Sequence, residues 1–191
     1  MALSGCKSGK DDKIAARVNG EKIYYSQVTR RILYNEIYNN TYKNIMEKAE
    51  EEGKEIFAEY EPEPTEYEDV LNDLIKMEVI RQYNKKEGIF TDFDKAKRSS
   101  KREYDFNAKD ENHKEFHDCL IETAESYGLD ESGLLDLYYE HWYDRYNENV
   151  CQSHFFYLIL SEECTLEDQM FDMFEEFVNG LADKAKIKTE E

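Results

Sequence analysis

Residues 15–23 read Ala-Ala-Arg-Val-Asn-Gly-Glu-Lys-Ile, and an Asn-Gly pair separates two short β-prone segments. Asn-Gly favours the turn that joins two antiparallel strands, so this stretch predicts a β-hairpin. Ser26 follows as a good N-cap for a helix. At the other end, residues 177–189 read Phe-Val-Asn-Gly-Leu-Ala-Asp-Lys-Ala-Lys-Ile-Lys-Thr, which predicts a helix running into a short strand. We expect the strands from both ends to lie next to each other in one small sheet.

The composition is typical of long, solvated helices in a single domain. The chain has 191 residues, of which 40% are hydrophobic and 36% charged, with only 2 prolines and 8 glycines. Fifteen tyrosines argue against disorder. The net charge of −19 repels phosphate backbones and anionic headgroups, which argues against nucleic-acid binding and favours basic partners.

Apolar residues recur at helical spacing through most of the chain. A first helix is predicted from Tyr25 or Ser26 to Glu50, and a second opens at the capping-box pattern Thr65-x-x-Glu68. The second helix should end at Gly88 in the left-handed conformation. Further helices are expected over 91–108 and 112–127, and a fifth is expected after an Asp130 cap.

The segment Ser153–Leu160 reads Ser-His-Phe-Phe-Tyr-Leu-Ile-Leu. It is apolar and β-prone, so we expect a strand or a buried extended piece. Thr165 should cap the last helix, whose face carries Met170, Phe174 and Phe177.

Residues 3–6 read Leu-Ser-Gly-Cys, the form of a bacterial lipobox, and a polar stretch follows. The basic and apolar regions of a signal peptide are missing before it. We interpret residues 1–13 as a lipobox-like start and flexible tether, with Cys6 as the lipidated residue. This interpretation requires that the start was trimmed or miscalled, and a coincidental match is the alternative. The expected location is the extracytoplasmic face of the cell membrane, with the lipid at Cys6 as the only membrane contact.

Four segments, in order, resemble one family. Residues 16–28, 70–89, 128–135 and 177–188 are similar to the SurA N-terminal-like chaperone module, which is shared by SurA, the PrsA lipoprotein foldases and, more distantly, trigger factor. The resemblance covers most of residues 14–191, expected to form a single domain. It implies a mainly α fold: an elongated multi-helix lobe with a small β-sheet formed by N- and C-terminal strands.

Relatives in that family commonly carry a parvulin-type prolyl isomerase domain before the final helix. Here His154–Leu160 resembles the opening strand of a parvulin, but the insert is reduced to about residues 150–164. So short a stretch cannot enclose a ligand pocket of roughly 300 Å³ or more. The chaperone lobe is therefore carried over and the isomerase activity is not.

Other patterns that could carry chemistry are weak. His113 and His117 lie one helical turn apart, but Lys114 stands where a metalloprotease needs glutamate, so we interpret them as surface histidines. Cys119, Cys151 and Cys164 have no zinc-like or redox spacing and are interpreted as small hydrophobic residues. We expect no catalytic residues, no metal and no cofactor.

Aromatic residues are the candidate binding residues. Tyrosine and tryptophan offer large contact areas that tolerate different client sequences. Some should pack inward, and others could line a groove for clients. The candidates are Tyr34, Tyr38, Tyr42, Tyr138, Tyr139, Trp142, Tyr143 and Tyr146.

These features predict a non-enzymatic, lipid-anchored chaperone, or holdase, that binds unfolded or exported polypeptide segments. One alternative is a dedicated interaction or assembly lipoprotein with one specific partner. Another is a degenerate peptidyl-prolyl isomerase.

Overall fold

The computed structural model describes residues 12–54, 60–160 and 167–190. In these ranges the chain forms a mainly helical fold with one small sheet, as the sequence predicts. The elements are β1 (Ile14–Val18), β2 (Glu21–Tyr24), α1 (Tyr25–Glu51), α2 (Tyr67–Glu87), α3 (Phe93–Asn107), α4 (Lys114–Ser126), α5 (Glu131–Leu160), α6 (Glu167–Lys184) and β3 (Ile187–Thr189).

The sheet joins the two ends of the described chain. Its strand order is β2-β1-β3, and both pairs are antiparallel. Asn19 and Gly20 have positive φ angles of 53° and 97°, as a two-residue hairpin turn of this kind requires. On the other edge of β1, Val18 lies opposite Ile187. The prediction that the two terminal strands are adjacent is confirmed.

The described residues form three apolar clusters that fill the lobe. The first lies beneath the sheet, where Ala16, Val18 and Ile23 pack with Val28 of α1 and Leu74 of α2. The second joins α1, α3, α4 and α5, and the third joins α2, α5 and α6. Burial of these side chains supplies the main stabilising free energy of such a fold.

Several helix ends lie where the local sequence predicts them. Gly88 has φ 73° and ends α2, and the Ile89 amide donates to the Asn84 carbonyl at 2.9 Å. Asp92 and Asp130 each accept a hydrogen bond from the backbone amide three residues on, both at 2.8 Å. These bonds satisfy amides at the start of α3 and α5 that have no partner within their own helix.

Two predicted caps are wrong. Helix α1 has its N-cap at Tyr24 rather than Ser26, because the Gln27 side chain accepts a hydrogen bond from the Tyr24 amide at 2.8 Å. The Ser26 hydroxyl pairs instead with Asp12. Helix α2 has its N-cap at Glu66, without a side-chain capping bond, so Thr65 does not cap it. The predicted cap at Thr165 lies outside the described residues.

The predicted strand at Ser153–Leu160 is also wrong, because the segment is the last part of the 30-residue helix α5. Phe155 stacks on Phe177 of α6 with ring centroids 4.7 Å apart, and Phe156 meets Phe171 edge-on at 5.7 Å. Helix pairing buries one face of this apolar segment, and such tertiary packing overrides its β propensity. The segment therefore does not form the opening strand of a parvulin.

Candidate functional site

A cleft between four helices is the candidate functional site. It lies between α1, α2, α3 and α5 and has a volume of about 250 Å³. That is somewhat below the usual range for small-molecule sites, and it suits one large side chain better than a cofactor. The cleft is lined by Gln27, Arg30, Arg31, Tyr34, Leu74, Arg81, Phe93, Leu137, Glu140, Tyr143 and Asp144.

The floor of the cleft is a buried group of ion pairs. The Asp144 carboxylate accepts hydrogen bonds from both the Arg31 and the Arg81 guanidinium groups. Arg81 also donates to Glu78 Oε2 through Nη2 at 2.7 Å, and Arg31 Nη1 lies 3.4 Å from Asp73 Oδ2. Arg31 and Asp144 are only 6% and 5% exposed. Charges so deeply buried persist because each has an opposite charge in hydrogen-bonding contact.

The electrostatics of this floor follow from burial and pairing. Burial lowers the pKa of Arg81. The carboxylates of Asp144 and then Glu78 raise this pKa by more than burial lowers it, so the net shift is upward. Burial raises the pKa of Asp73, although Arg31 opposes the shift. Because the guanidinium groups are held by carboxylates of the protein itself, the floor presents a closed network rather than an open anion site.

A polar chain links the cleft to the terminal sheet. The Gln82 side-chain amide donates to Glu78 Oε1 at 2.9 Å and to the Val18 carbonyl at 3.0 Å. The Asn19 side chain donates to Gln82 Oε1 at 2.8 Å. Since Glu78 also binds Arg81, hydrogen bonds run without interruption from the hairpin turn to the floor of the cleft.

Buried and half-buried asparagines hold the connecting segments between the helices. The Asn147 side chain accepts from the Thr91 amide at 3.1 Å and donates to the Thr91 carbonyl at 3.0 Å. Asn39 does the same for Glu63, at 2.9 and 2.8 Å. Asn35 donates to the carbonyl of Pro64 at 2.6 Å. These amides replace backbone partners that the loops lack, so they fix the loops against the helices.

His141 lies on the inner face of α5 and is 7% exposed. Its ring centroid is 4.7 Å from that of Tyr34. Burial lowers its pKa well below the ordinary value, and the charges of Arg31 and Arg145 lower it further. His141 is therefore a neutral packing residue at pH 7.

The structure divides the eight candidate aromatic residues into two groups. Tyr34, Tyr138 and Tyr139 are 2–5% exposed and belong to the second apolar cluster. The others are half-buried and keep some surface for a partner: Tyr38, Tyr42, Trp142, Tyr143 and Tyr146.

Tyr143 is the half-buried candidate that lines the cleft. Its ring meets Phe93 edge-on, with centroids 5.4 Å apart, and the Arg81 guanidinium carbon lies 5.5 Å from its centroid. Phe93 is 40% exposed, so it forms an accessible aromatic wall. Phe93 is not among the site residues predicted from the sequence. Its position directly after the Asp92 cap, in the first turn of α3, is the signal that could have identified it.

Tyr38 and Tyr42 form a separate aromatic ledge with Tyr60 and Phe116. The rings of Tyr42 and Tyr60 stack at 4.2 Å, and Tyr42 and Phe116 are 4.9 Å apart. The ledge joins α1, α4 and the connector before α2. Tyr38 and Tyr42 therefore do not line the cleft that Tyr143 lines.

The interpretation as surface histidines is correct for His113 and wrong for His117. His113 is exposed and its Nδ1 lies 2.7 Å from Asp110 Oδ1. His117 is 6% exposed, and its ring packs edge-on against Tyr104 at 4.5 Å. Helix α4 turns its second histidine into the core because Leu120 and Ala124 share that face.

Cys151 fits the interpretation as a small hydrophobic residue. It is fully buried and free, and burial, with a smaller effect of Glu148, raises its thiol pKa to about 12. Cys119 is half-buried and also free. Cys6, the predicted lipidation site, and Cys164 lie outside the described residues.

Comparisons with protein-family models, curated proteins and solved structures found no match to this chain. Within the described ranges, no group of three or more histidine, cysteine or acidic side chains is arranged to hold a metal ion. None of the described helices is long and apolar enough to cross a membrane.

Proposed function

We propose that this chain is a SurA N-terminal-like chaperone lobe that holds extended apolar or aromatic segments of exported proteins without catalysing their isomerisation. The observation that carries the proposal is the β2-β1-β3 sheet, which closes a helical lobe with strands from both ends of the described chain. The proposed location is the extracytoplasmic face of the membrane, with Cys6 as the lipid anchor.

The cleft supplies the proposed mechanism. Its volume of about 250 Å³ admits one client side chain, and Phe93 and Tyr143 provide an aromatic wall. The floor is already satisfied by its own ion pairs, so an uncharged client side chain can enter without leaving those charges unpaired. The net charge of −19 keeps the loaded complex soluble and favours basic clients.

Suppression of client aggregation tests this function. Light scattering of a chemically denatured client is followed after dilution, with and without an equimolar amount of the protein. We expect suppression by the unmodified protein and loss of most of it in Phe93→Ser combined with Tyr143→Ser. Phe106→Ser is the matched control, because Phe106 is 57% exposed on the same helix as Phe93 and does not line the cleft. Absence of suppression, or equal suppression by all three proteins, contradicts the proposal.

A dedicated lipoprotein with one partner is the second candidate function. The ion pairs that fix the floor of the cleft favour it, since a cleft of fixed shape suits one complementary surface. Capture from the native envelope separates the two functions: one partner at equal stoichiometry supports this candidate, and many weak partners support the chaperone. The third candidate function, a degenerate isomerase, predicts faster cis/trans exchange in a proline peptide, and we expect no acceleration.

A further inference from the structure

The end of the α5–α6 pair exposes apolar side chains that do not line the cleft. Tyr157 is 75% exposed and Leu158 47%, at the end of α5. On α6, Phe171 is 54% and Met173 37% exposed. We call these four residues the α5–α6 tip. Phe156 contacts Phe171 at 5.7 Å, so the two exposed groups lie within about one helical turn of the same interhelical contact.

The inner contacts of this helix pair are made by other side chains. Phe155, Phe174 and Phe177 form the inner contacts, with the Phe155 and Phe177 rings 4.7 Å apart. Phe174 is 7% exposed. The tip residues, of which Phe171 also contacts Phe156, keep apolar surface outside these inner contacts, and exposed apolar groups of this kind are typical of interaction surfaces.

The charged residues interleaved with the tip on α6 are acidic. Asp172, Glu175 and Glu176 are exposed on α6, interleaved with the tip residues Phe171 and Met173. Residues 151–158 of α5 carry no lysine, arginine, aspartate or glutamate. The tip is therefore an apolar surface bordered on α6 by carboxylates.

This charge pattern selects the occupant. Two copies of the chain would bring two acidic rims together, in proteins that each carry −19. Anionic lipid headgroups and nucleic acids would be repelled for the same reason. A polypeptide that combines apolar residues with lysine or arginine satisfies both parts of the surface.

We propose that the α5–α6 tip is a docking surface for a cationic amphipathic polypeptide segment. The apolar side of the segment would cover Tyr157 and Phe171, and its basic side chains would pair with Asp172, Glu175 and Glu176. This surface shares no residue with the cleft, so the inference goes beyond the proposed function and does not depend on it.

Fluorescence anisotropy with labelled peptides tests the inference. The probes are an amphipathic helical peptide of about 15 residues made of leucine and lysine, the same peptide with glutamate for lysine, and one with serine for leucine. We expect binding of the leucine–lysine peptide alone, weakened by salt because the rim charges are exposed. Phe171→Ser with Tyr157→Ser should weaken it at least about tenfold, and Phe106→Ser should not.

A charge-reversal variant tests the role of the carboxylates that border the tip. Replacing Asp172, Glu175 and Glu176 by lysine should abolish binding of the leucine–lysine peptide and create binding of the leucine–glutamate peptide. Equal binding of both peptides by the unmodified protein overturns the proposal. The proposal is also overturned if the protein sediments as a dimer, or binds anionic vesicles, and Phe171→Ser removes that association. Circular dichroism of each variant shows that loss of binding is not loss of fold.

Discussion

Asn19 and Lys186 exchange two hydrogen bonds across the closing sheet. The Asn19 amide donates to the Lys186 carbonyl at 3.0 Å, and the Lys186 amide donates to Asn19 Oδ1 at 2.8 Å. The same asparagine holds a positive φ of 53° and donates from its side chain to Gln82. One residue therefore shapes the hairpin turn, fastens the strand from the other end and begins the polar chain to the cleft.

Two substitutions separate the roles of Asn19. Asn19→Gly keeps the positive φ but loses the side-chain bonds, and we expect it to lower the free energy of unfolding by about 1 kcal/mol. Asn19→Ala also places a Cβ in the left-handed conformation and should cost about 2 kcal/mol. Urea unfolding measures both. Equal stability of the alanine variant and the unmodified protein would contradict both the contribution of the Asn19 side-chain bonds and the cost of the left-handed backbone.

Asp144→Asn should be strongly destabilising. The change leaves Arg31 and Arg81 buried without their shared carboxylate, which typically costs about 3 kcal/mol or more. Glu140→Gln is the matched control on the same helix, because Glu140 pairs with Arg30 at the surface at 2.9 Å. Its cost should stay below about 1 kcal/mol. Similar urea midpoints for the two variants would contradict the structural role given to the buried floor.

The burial of His141 predicts a loss of stability in acid. Because its pKa is lowered in the folded state, the unfolded chain binds the proton more readily. The stability from neutral His141 is present above the unfolded pKa of about 6.5 and is lost as the pH falls below it.

The slope of the free energy of unfolding against pH should approach about 1.4 kcal/mol per pH unit from His141 alone. His141→Gln should flatten the dependence of unfolding free energy on pH between 6.5 and 5 (the range set by the ordinary histidine pKa). The exposed His113→Gln should retain the slope. An unchanged slope in the His141 variant would refute the assignment.

Gly88 and Gly180 give opposite predictions for the same substitution. Gly88 has φ 73° at the end of α2, so Gly88→Ala should cost about 1 kcal/mol. Gly180 lies inside α6 with open space where a Cβ would stand. Gly180→Ala should therefore stabilise the protein by up to about 1 kcal/mol. Thermal unfolding of both variants measures the difference, and a shift of the same sign in both would contradict it.

The parts of the fold with local signals are those that the sequence predicts well. The Asn19-Gly20 turn, the Asp130 cap and the Gly88 stop each depend on residues within a few positions of one another, and all three are confirmed. The pairing of β1 with β3 followed from strand signals at both ends of the chain.

The prediction for Ser153–Leu160 is wrong because local β propensity does not account for the continuity of helix α5. No glycine or proline separates this segment from the helix that starts at Glu131, apart from Gly133 in the first turn. Cys151 and Phe155 continue the helical spacing, and both face α2 and α6. Partners distant in sequence decide the conformation of such an apolar segment, and its composition does not reveal them.

The candidate site was predictable only in part. Tyr143 could be named because aromatics cluster around it, but the choice between groove and core needed the fold, which buries Tyr138 and Tyr139. The Arg31–Asp144–Arg81 group joins three helices. Its only local signal is charge on otherwise apolar helix faces, and this signal does not identify the partners.

The position of β1 in the centre of the sheet has a consequence for the order of assembly during synthesis. One edge of β1 pairs within residues 14–24, but the other pairs with residues 187–189. During vectorial synthesis that second edge stays open until nearly the whole helical lobe has left the ribosome. The native sheet therefore cannot close co-translationally over a partly made lobe.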